Sequence, residues 1–145
     1  MENYNKGFSL IEFIIVLAII STLASIAIPA YSSLTLNCCN KRAISEIRNI
    51  NIAVRAYQTE KGILPASMRD ISLENLRDPW GNLYHYQPVT SASTSIQDRF
   101  GNALNSEYDL YSFGQDSTST PIAGSQINND DIVLAGNGDY IGIRP

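Results

Sequence analysis

An α+β fold, one long N-terminal α-helix packed on a small C-terminal antiparallel β-sheet, is predicted by three observations on this 145-residue chain. Residues 13 to 40 contain no Asp, Glu, Lys or Arg, and almost all of the first 18 are apolar. Beyond them, Ala43, Ile47, Ile50, Val54 and Tyr57 recur at steps of four, three, four and three. After Asp78 the chain breaks into short runs rich in β-branched and aromatic residues, separated by Gly, Asn, Ser and Asp. The first two observations describe a helix, and the third describes strands joined by turns.

The helix comes first in chain order. From Phe8 to Ala30 it would be about 34 Å long, enough to cross a hydrocarbon core of about 30 Å. Such a segment is either a membrane span or an export signal. Ser25-Ile26-Ala27 could serve as a small-x-small cleavage site, whereas Asn37 before Cys38 is a poor lipoprotein signal. Glu12 stands near the start of the run, where a carboxylate truly buried in a bilayer costs on the order of 2 to 3 kcal/mol. It is either a wet residue at headgroup depth or a functional one. Pro29 removes one backbone hydrogen bond late in the run, which fits a kink or local melting as well as a boundary at the membrane surface. Lys6 is the only side-chain cation before the run, so the positive-inside tendency leaves the N-terminus cytoplasmic and exports the chain beyond residue 31.

Past the membrane the stripe from Ala43 to Tyr57 continues the helix on one apolar face, giving roughly 50 helical residues that end at Gly62, with Pro65 shortly beyond. Its apolar face is core packing, and the sheet is its partner. Asp78-Pro79-Trp80-Gly81-Asn82 reads as a turn, followed by strand candidates Leu83–Gln87, Tyr108–Phe113, Asp131–Leu134 and Asp139–Ile143. The stretch Val89–Ser106 matches no motif and reads as a mobile surface insertion.

Charge divides the chain in the same way. Residues 41 to 61 carry five basic and two acidic side chains, while residues 98 to 145 carry seven acidic and two basic. A total of −4 with no dense basic run argues against nucleic acid as a partner. His85 is the only histidine, which rules out a His-rich metal site and restricts nucleophilic triads to that one residue. On its strand it reads as a surface or sheet-packing residue, and with no cysteine at catalytic spacing the sequence offers no enzyme. The only cysteines, Cys38 and Cys39, are adjacent, so a bond between them would be strained; they are free thiols or a cross-link between subunits.

The acidic tail holds a candidate cation site. Asp116, Asn128, Asn129, Asp130 and Asp131 bracket a loop of small and polar residues, and flexible oxygen donors suit calcium. The spacing departs from the EF-hand template, and Asn-Asn-Asp-Asp is equally natural as a turn leading into a strand.

Lys6-Gly7-Phe8-Ser9-Leu10-Ile11-Glu12 before an apolar run resembles the prepilin signal of type IV pilins and type II secretion pseudopilins. The turn at 78–82, the L-Y-x-Y strand after it and the later Tyr-Ser-Phe-Gly segment resemble the signature of the major pseudopilin. These resemblances cover residues 6 to about 60 and 78 to 140, and they imply a pilin-like fold. A prepilin peptidase would cut between Gly7 and Phe8 and N-methylate Phe8, leaving a leader at 1–7, a transmembrane and assembly helix at 8–30 and a periplasmic globular domain at 31–145. The Glu12 carboxylate of one subunit would neutralise the Phe8 ammonium of a neighbour, and Pro29 matches the family's helix pattern. The chain would be a single-pass inner-membrane protein that polymerises with itself into a periplasmic pseudopilus and drives protein export. Its partners would be the prepilin peptidase, an inner-membrane assembly platform and minor pseudopilins. The alternative in the same class is the major subunit of a surface type IV pilus. The resemblance also implies calcium held by Asp116, Asp130 and Asp131, with carbonyls near Phe113 and Thr118, although the spacer in this loop is longer than the family's.

Overall fold

The computed structural model describes residues 8–90, 95–120 and 129–145. The chain divides into two compact units, Met1–Asn37 and Cys38–Pro145, and helix α1 (Leu10–Lys61, 52 residues) contributes to both.

In the first unit, Ser9 begins the helix: its carbonyl accepts from the Phe13 N–H (3.1 Å) and its own N–H donates to Glu12 Oε2 (2.8 Å). That is the return half of a capping box, with Glu12 at the third helical position. The apolar side chains from Phe8 to Leu36 face outward, and by length and composition the segment suffices to cross a membrane. Between Phe13 and Ala30 the three polar residues keep their hydroxyls on the helix's own carbonyls, Ser21 on Leu17 (2.7 Å), Thr22 on Ile19 (2.8 Å) and Ser25 on Thr22 (2.8 Å). No bare hydroxyl is thereby presented to an apolar solvent. The helix runs on through Pro29 without a break.

In the second unit the first four residues of the predicted stripe lie in the core, and the fifth, Tyr57, is half-buried outside it. Ala43, Ile47, Ile50 and Val54 are fully buried, packed with Met68, Tyr84, Tyr108, Leu110, Ile132 and Leu134. The helix stops where Gly62 takes a positive φ of 74° and donates to the Gln58 carbonyl (2.8 Å), a conformation that glycine adopts without steric cost. Four strands then form an antiparallel meander: β1 (His85–Pro88), β2 (Tyr108–Ser112), β3 (Ile132–Ala135) and β4 (Tyr140–Ile143), in spatial order β1-β2-β3-β4. The register pairs Tyr86 with Leu110, Tyr111 with Val133 and Val133 with Gly142. Tyr86, Tyr108, Leu110, Ile132 and Leu134 therefore share the face that contributes to the core, and His85, Asp109, Tyr111 and Val133 share the other.

That second face overturns one expectation. Within the stretch read as a mobile insertion, residues 95–106 are folded against the sheet, while 91–94 lie outside the described residues. Ile96 is 5% exposed and Asn105 is 6% exposed. The anchor is Asp109, itself buried, whose carboxylate accepts from the Ile96 N–H (2.9 Å), Asn105 Nδ2 (3.1 Å) and Ser95 Oγ (3.3 Å). Three donors on one carboxylate offset its desolvation, and Ile96 is sequestered with it. The polar composition of the stretch concealed this, because its ordering comes from a residue on β2.

Candidate functional site

The N-terminal residues singled out by sequence sit at the start of α1. Gly7 lies outside the described residues. Phe8 is largely exposed immediately before the helix, and Glu12 faces back toward it by accepting from the Ser9 N–H. A carboxylate has acceptor capacity beyond one N–H, so the capping role leaves Glu12 able to accept a second donor such as a terminal ammonium. Pro29 lies seventeen residues further along the same helix. Cys38 is exposed, Cys39 is half-buried, and both are free thiols.

The turn at 78–82 is tied to the segment at 112–114. Asp78 Oδ1 accepts from the backbone N–H groups of Trp80 (3.0 Å) and Asn82 (2.8 Å), and its Oδ2 accepts from Ser112 Oγ (2.6 Å). Asn82 Nδ2 reaches the Gly114 carbonyl (3.2 Å). Trp80 packs against the core from this turn, and Tyr84, on the strand-like segment after it, donates to Glu46 Oε2 on α1 (2.6 Å). Burial and the facing Glu46 carboxylate both push the Tyr84 hydroxyl above its usual range. Gly114 has a φ of 66°, and a Cβ there would lie 2.3 Å from the Asp130 carbonyl oxygen, so the segment approaches the acidic loop as closely as only glycine permits.

At that loop the structure separates the predicted ligands by environment. Asp116 is exposed and accepts from the Thr118 N–H (2.8 Å), while its own N–H donates to Asp130 Oδ2 (2.9 Å). Asp131 is fully buried. Its Oδ2 accepts from Ser119 Oγ (2.6 Å) and faces Arg144 Nη1 (3.3 Å), while its Oδ1 is buried with no hydrogen-bond partner. Burial raises the Asp131 carboxyl to about 6, against the opposing pull of Ser119 and Arg144. Phe113 places its ring 4.3 Å from that of His85, whose own ring stacks on Tyr111 at 5.2 Å. Desolvation against these rings lowers the imidazole below its usual range. Among the described residues, no three His, Cys, Asp or Glu side chains gather as a ligand set.

Sequence reasoning missed Arg144. Its guanidinium also donates to the carbonyls of Thr120 (2.8 Å) and Gln97 (2.7 and 2.9 Å), so one side chain ties the chain's end to the loop and to the segment covering the sheet. The signal available was that Arg144 and Arg99 are the only cations after residue 98.

Comparison with known proteins bears on the N-terminal residues of this geometry. The family described as "Prokaryotic N-terminal methylation motif" matches residues 3–28. Fimbrial protein EcpC of Eikenella corrodens is 39% identical over 66 residues, covering 46% of this chain and 43% of the relative. Type IV major pilin protein PilE of Neisseria gonorrhoeae is 40% identical over 65 residues, covering 45% and 39%. A fimbrial protein of Neisseria meningitidis serogroup A is 27% identical over 139 residues, covering 90% and 79%. The chain is a type IV pilin-like protein. The matched part spans less than half the length of the first two relatives. None of the solved structures matches it. The apolar start of α1 is long and apolar enough to anchor a pilin-type protein in a membrane, and Phe8 and Glu12 both fall inside the matched motif.

Proposed function

We propose that this pilin-like protein is a structural subunit of a type II secretion pseudopilus. In this reading prepilin peptidase cuts between Gly7 and Phe8, and Phe8 becomes the methylated N-terminus. Residues 8–30 hold the chain in the inner membrane with residues 31–145 in the periplasm. Subunits then leave the membrane onto an assembly platform, with minor pseudopilins, and form a filament that drives protein export. Glu12 and the Phe8 ammonium of a neighbour neutralise each other, since each is costly in an apolar setting unless paired. Pro29 leaves the carbonyl four residues earlier without its helical donor, a point at which the helix can yield during packing.

The observation that carries the choice of pseudopilus is the hydrogen-bonded coupling of Asp78 and Asn82 to Ser112 and Gly114. It makes one structural unit of the two segments on which the resemblance to major pseudopilins rests. The cysteines point the same way, since both lie on α1 and no disulfide can close a C-terminal loop. A surface type IV pilus is the second reading, favoured by the fimbrial and pilin names of the relatives. Deleting the gene separates them: a pseudopilin's loss leaves proteins trapped in the periplasm, and a pilin's loss removes surface fibres. Intact mass should show a chain starting at methylated Phe8, and a soluble product starting near Ile28 would refute the whole reading.

Calcium belongs to the same proposal. The support is Asp131 Oδ1, a buried anionic oxygen without a donor, close to the loop that carries Asp116 and Asp130. These three carboxylates, with carbonyls near Phe113 and Thr118, would hold the ion. Arg144 already occupies the Oδ2 side, so the ion would complete a neutralisation that the guanidinium begins.

A further inference from the structure

The turn at 78–82 is built a second time at 98–102. Asp78-Pro79-Trp80-Gly81-Asn82 and Asp98-Arg99-Phe100-Gly101-Asn102 share the pattern Asp-x-aromatic-Gly-Asn. Their backbones match: Asp78 N–H to the Asn82 carbonyl and Asp98 N–H to the Asn102 carbonyl are both 2.8 Å, and the glycines have φ of 97° and 87°. Their side chains match as well. Asp98 Oδ1 accepts from the N–H groups of Phe100 (2.8 Å) and Asn102 (2.8 Å), and its Oδ2 accepts from Asn102 Nδ2 (2.9 Å). Each turn is closed by an antiparallel bridge, Arg77 with Leu83 and Gln97 with Ala103.

The two turns differ in what becomes of the aromatic ring. Trp80 is seated against the core, whereas Phe100, at the same position of the same turn, is 78% exposed. Isolated exposed apolar residues are common and need no explanation. Phe100 is unusual because it stands on a tip held by five hydrogen bonds, with the Arg99 guanidinium 5.2 Å from its ring centroid. The Arg99 N–H also donates to the Pro145 carbonyl (3.3 Å). A fixed ring with a cation beside it loses little freedom when it docks.

The same chain also carries an open cavity with a mixed apolar and charged lining. This shallow cavity of about 350 Å³ is lined by Ser67, Met68, Arg69, Glu74, Leu83 and Tyr84. Met68, Leu83 and the Tyr84 ring give it an apolar floor, and Leu83 is 43% exposed. The cavity's edge carries both charges, the exposed Arg69 guanidinium and the exposed Glu74 carboxylate, and Glu74 is the group with which an incoming guanidinium can pair. We infer that the Arg99-Phe100 tip of one subunit docks in this cavity on a second copy of the chain, with Phe100 on the apolar floor and Arg99 paired to Glu74. Tip and cavity are different surfaces, so the contact is heterologous, and repetition gives an open polymer unless the rotation closes a ring. The inference rests on the reading of the chain as a filament subunit and adds a second contact, outside the membrane helix.

The test uses the full-length chain in its own host, with filaments sheared, sedimented and counted by electron microscopy. Phe100→Ser should weaken subunit affinity about tenfold to a hundredfold, the scale of one buried aromatic side chain. Arg99→Glu and Glu74→Arg should each shorten or abolish filaments, and the doubly substituted chain should recover them. Unfolding midpoints should stay within a few degrees of wild type, because all three side chains are exposed. Wild-type filaments together with normal Phe100→Ser filaments overturn this contact alone, as does a double variant no better than the worse single one. A wild-type chain that forms no filament overturns the contact and the filament reading together.

Discussion

The twin turns offer an internally controlled measurement of what burial adds to a hydrogen-bond network. Asp78→Ala and Asp98→Ala remove the same two backbone N–H acceptors and the same Asn partner. Asp78 is 4% exposed and also accepts from Ser112 Oγ, whereas Asp98 lies at the surface. In Asp78→Ala the Trp80 and Asn82 N–H groups and the Ser112 hydroxyl lose their acceptor where water enters poorly, at about 1 to 3 kcal/mol each. Against this stands the recovered desolvation of the carboxylate, so we take the lower part of the range, about 4 kcal/mol. In Asp98→Ala water replaces the carboxylate, and the cost should be about 1 kcal/mol. For a domain of about a hundred residues the difference of about 3 kcal/mol corresponds to a melting temperature lower by roughly 12 to 24 °C. Residues 31–145, which contain the complete core of the second unit, can be unfolded in urea and by heat for both variants. Equal losses would refute the reasoning, because they would mean that local turn bonds set the cost and that the tie to Ser112 contributes nothing.

Glu12→Ala should leave the globular unit folded and membrane insertion intact while filament assembly fails; normal filaments would reduce Glu12 to its capping bond with Ser9. Removing calcium should lower the melting temperature of the wild-type chain, Asp131→Asn should abolish that response, and magnesium should substitute poorly because its small octahedral shell suits flexible protein oxygens badly. A melting curve indifferent to millimolar calcium and to chelator would return these aspartates to the role of turn residues. His85 is held below its ordinary pKa, so the folded state binds fewer protons than the unfolded one. Its contribution to stability is therefore present above the unfolded value of about 6.5 and is lost as pH falls from there through the lower folded value. His85→Phe should flatten that part of the pH profile while keeping the stack on Tyr111 and Phe113, and a proton titration of His85 at its ordinary value would contradict the assignment. Gly114→Ala should cost at least about 2 kcal/mol, because the new methyl meets the Asp130 backbone at a positive φ; urea midpoints within error of wild type would show that the loop yields.

The features legible in the sequence are governed by short-range rules. The apolar stripe from Ala43 to Tyr57 can be buried only on one side of a helix, and its first four residues are fully buried while Tyr57 is half-buried. Gly62 ends that helix in the left-handed conformation that glycine tolerates, and the four strand candidates appear within one or two residues of their positions. The features that stay hidden depend on residues far apart in the chain. Asp109 alternates with Tyr108 and Leu110 and would be assigned to solvent by period alone, yet it is buried by residues 95–105. By sequence Asp131 groups with Asp116 and Asp130 as one acidic cluster. The charged side chain with which it pairs is instead Arg144, thirteen residues later, and charge counting gives no means of pairing them.

The second turn shows where that boundary lies. Its Asp, Gly and Asn fix the local geometry in the same way as at 78–82, so the pattern at 98–102, inside the stretch that sequence reasoning matched to no motif, repeats the first turn and its backbone. Nothing in those five residues says which aromatic ring will be covered. In the first turn that is decided by Ser112 and Gly114, which draw Asp78 and Asn82 in beneath the sheet. In the second, the backbone contact beyond the turn's own hairpin is with the Pro145 carbonyl at the end of the chain, which holds the tip in place and leaves the ring outside. Local chemistry builds the turn, and long-range contacts decide whether its aromatic serves the core of its own chain or remains exposed for another.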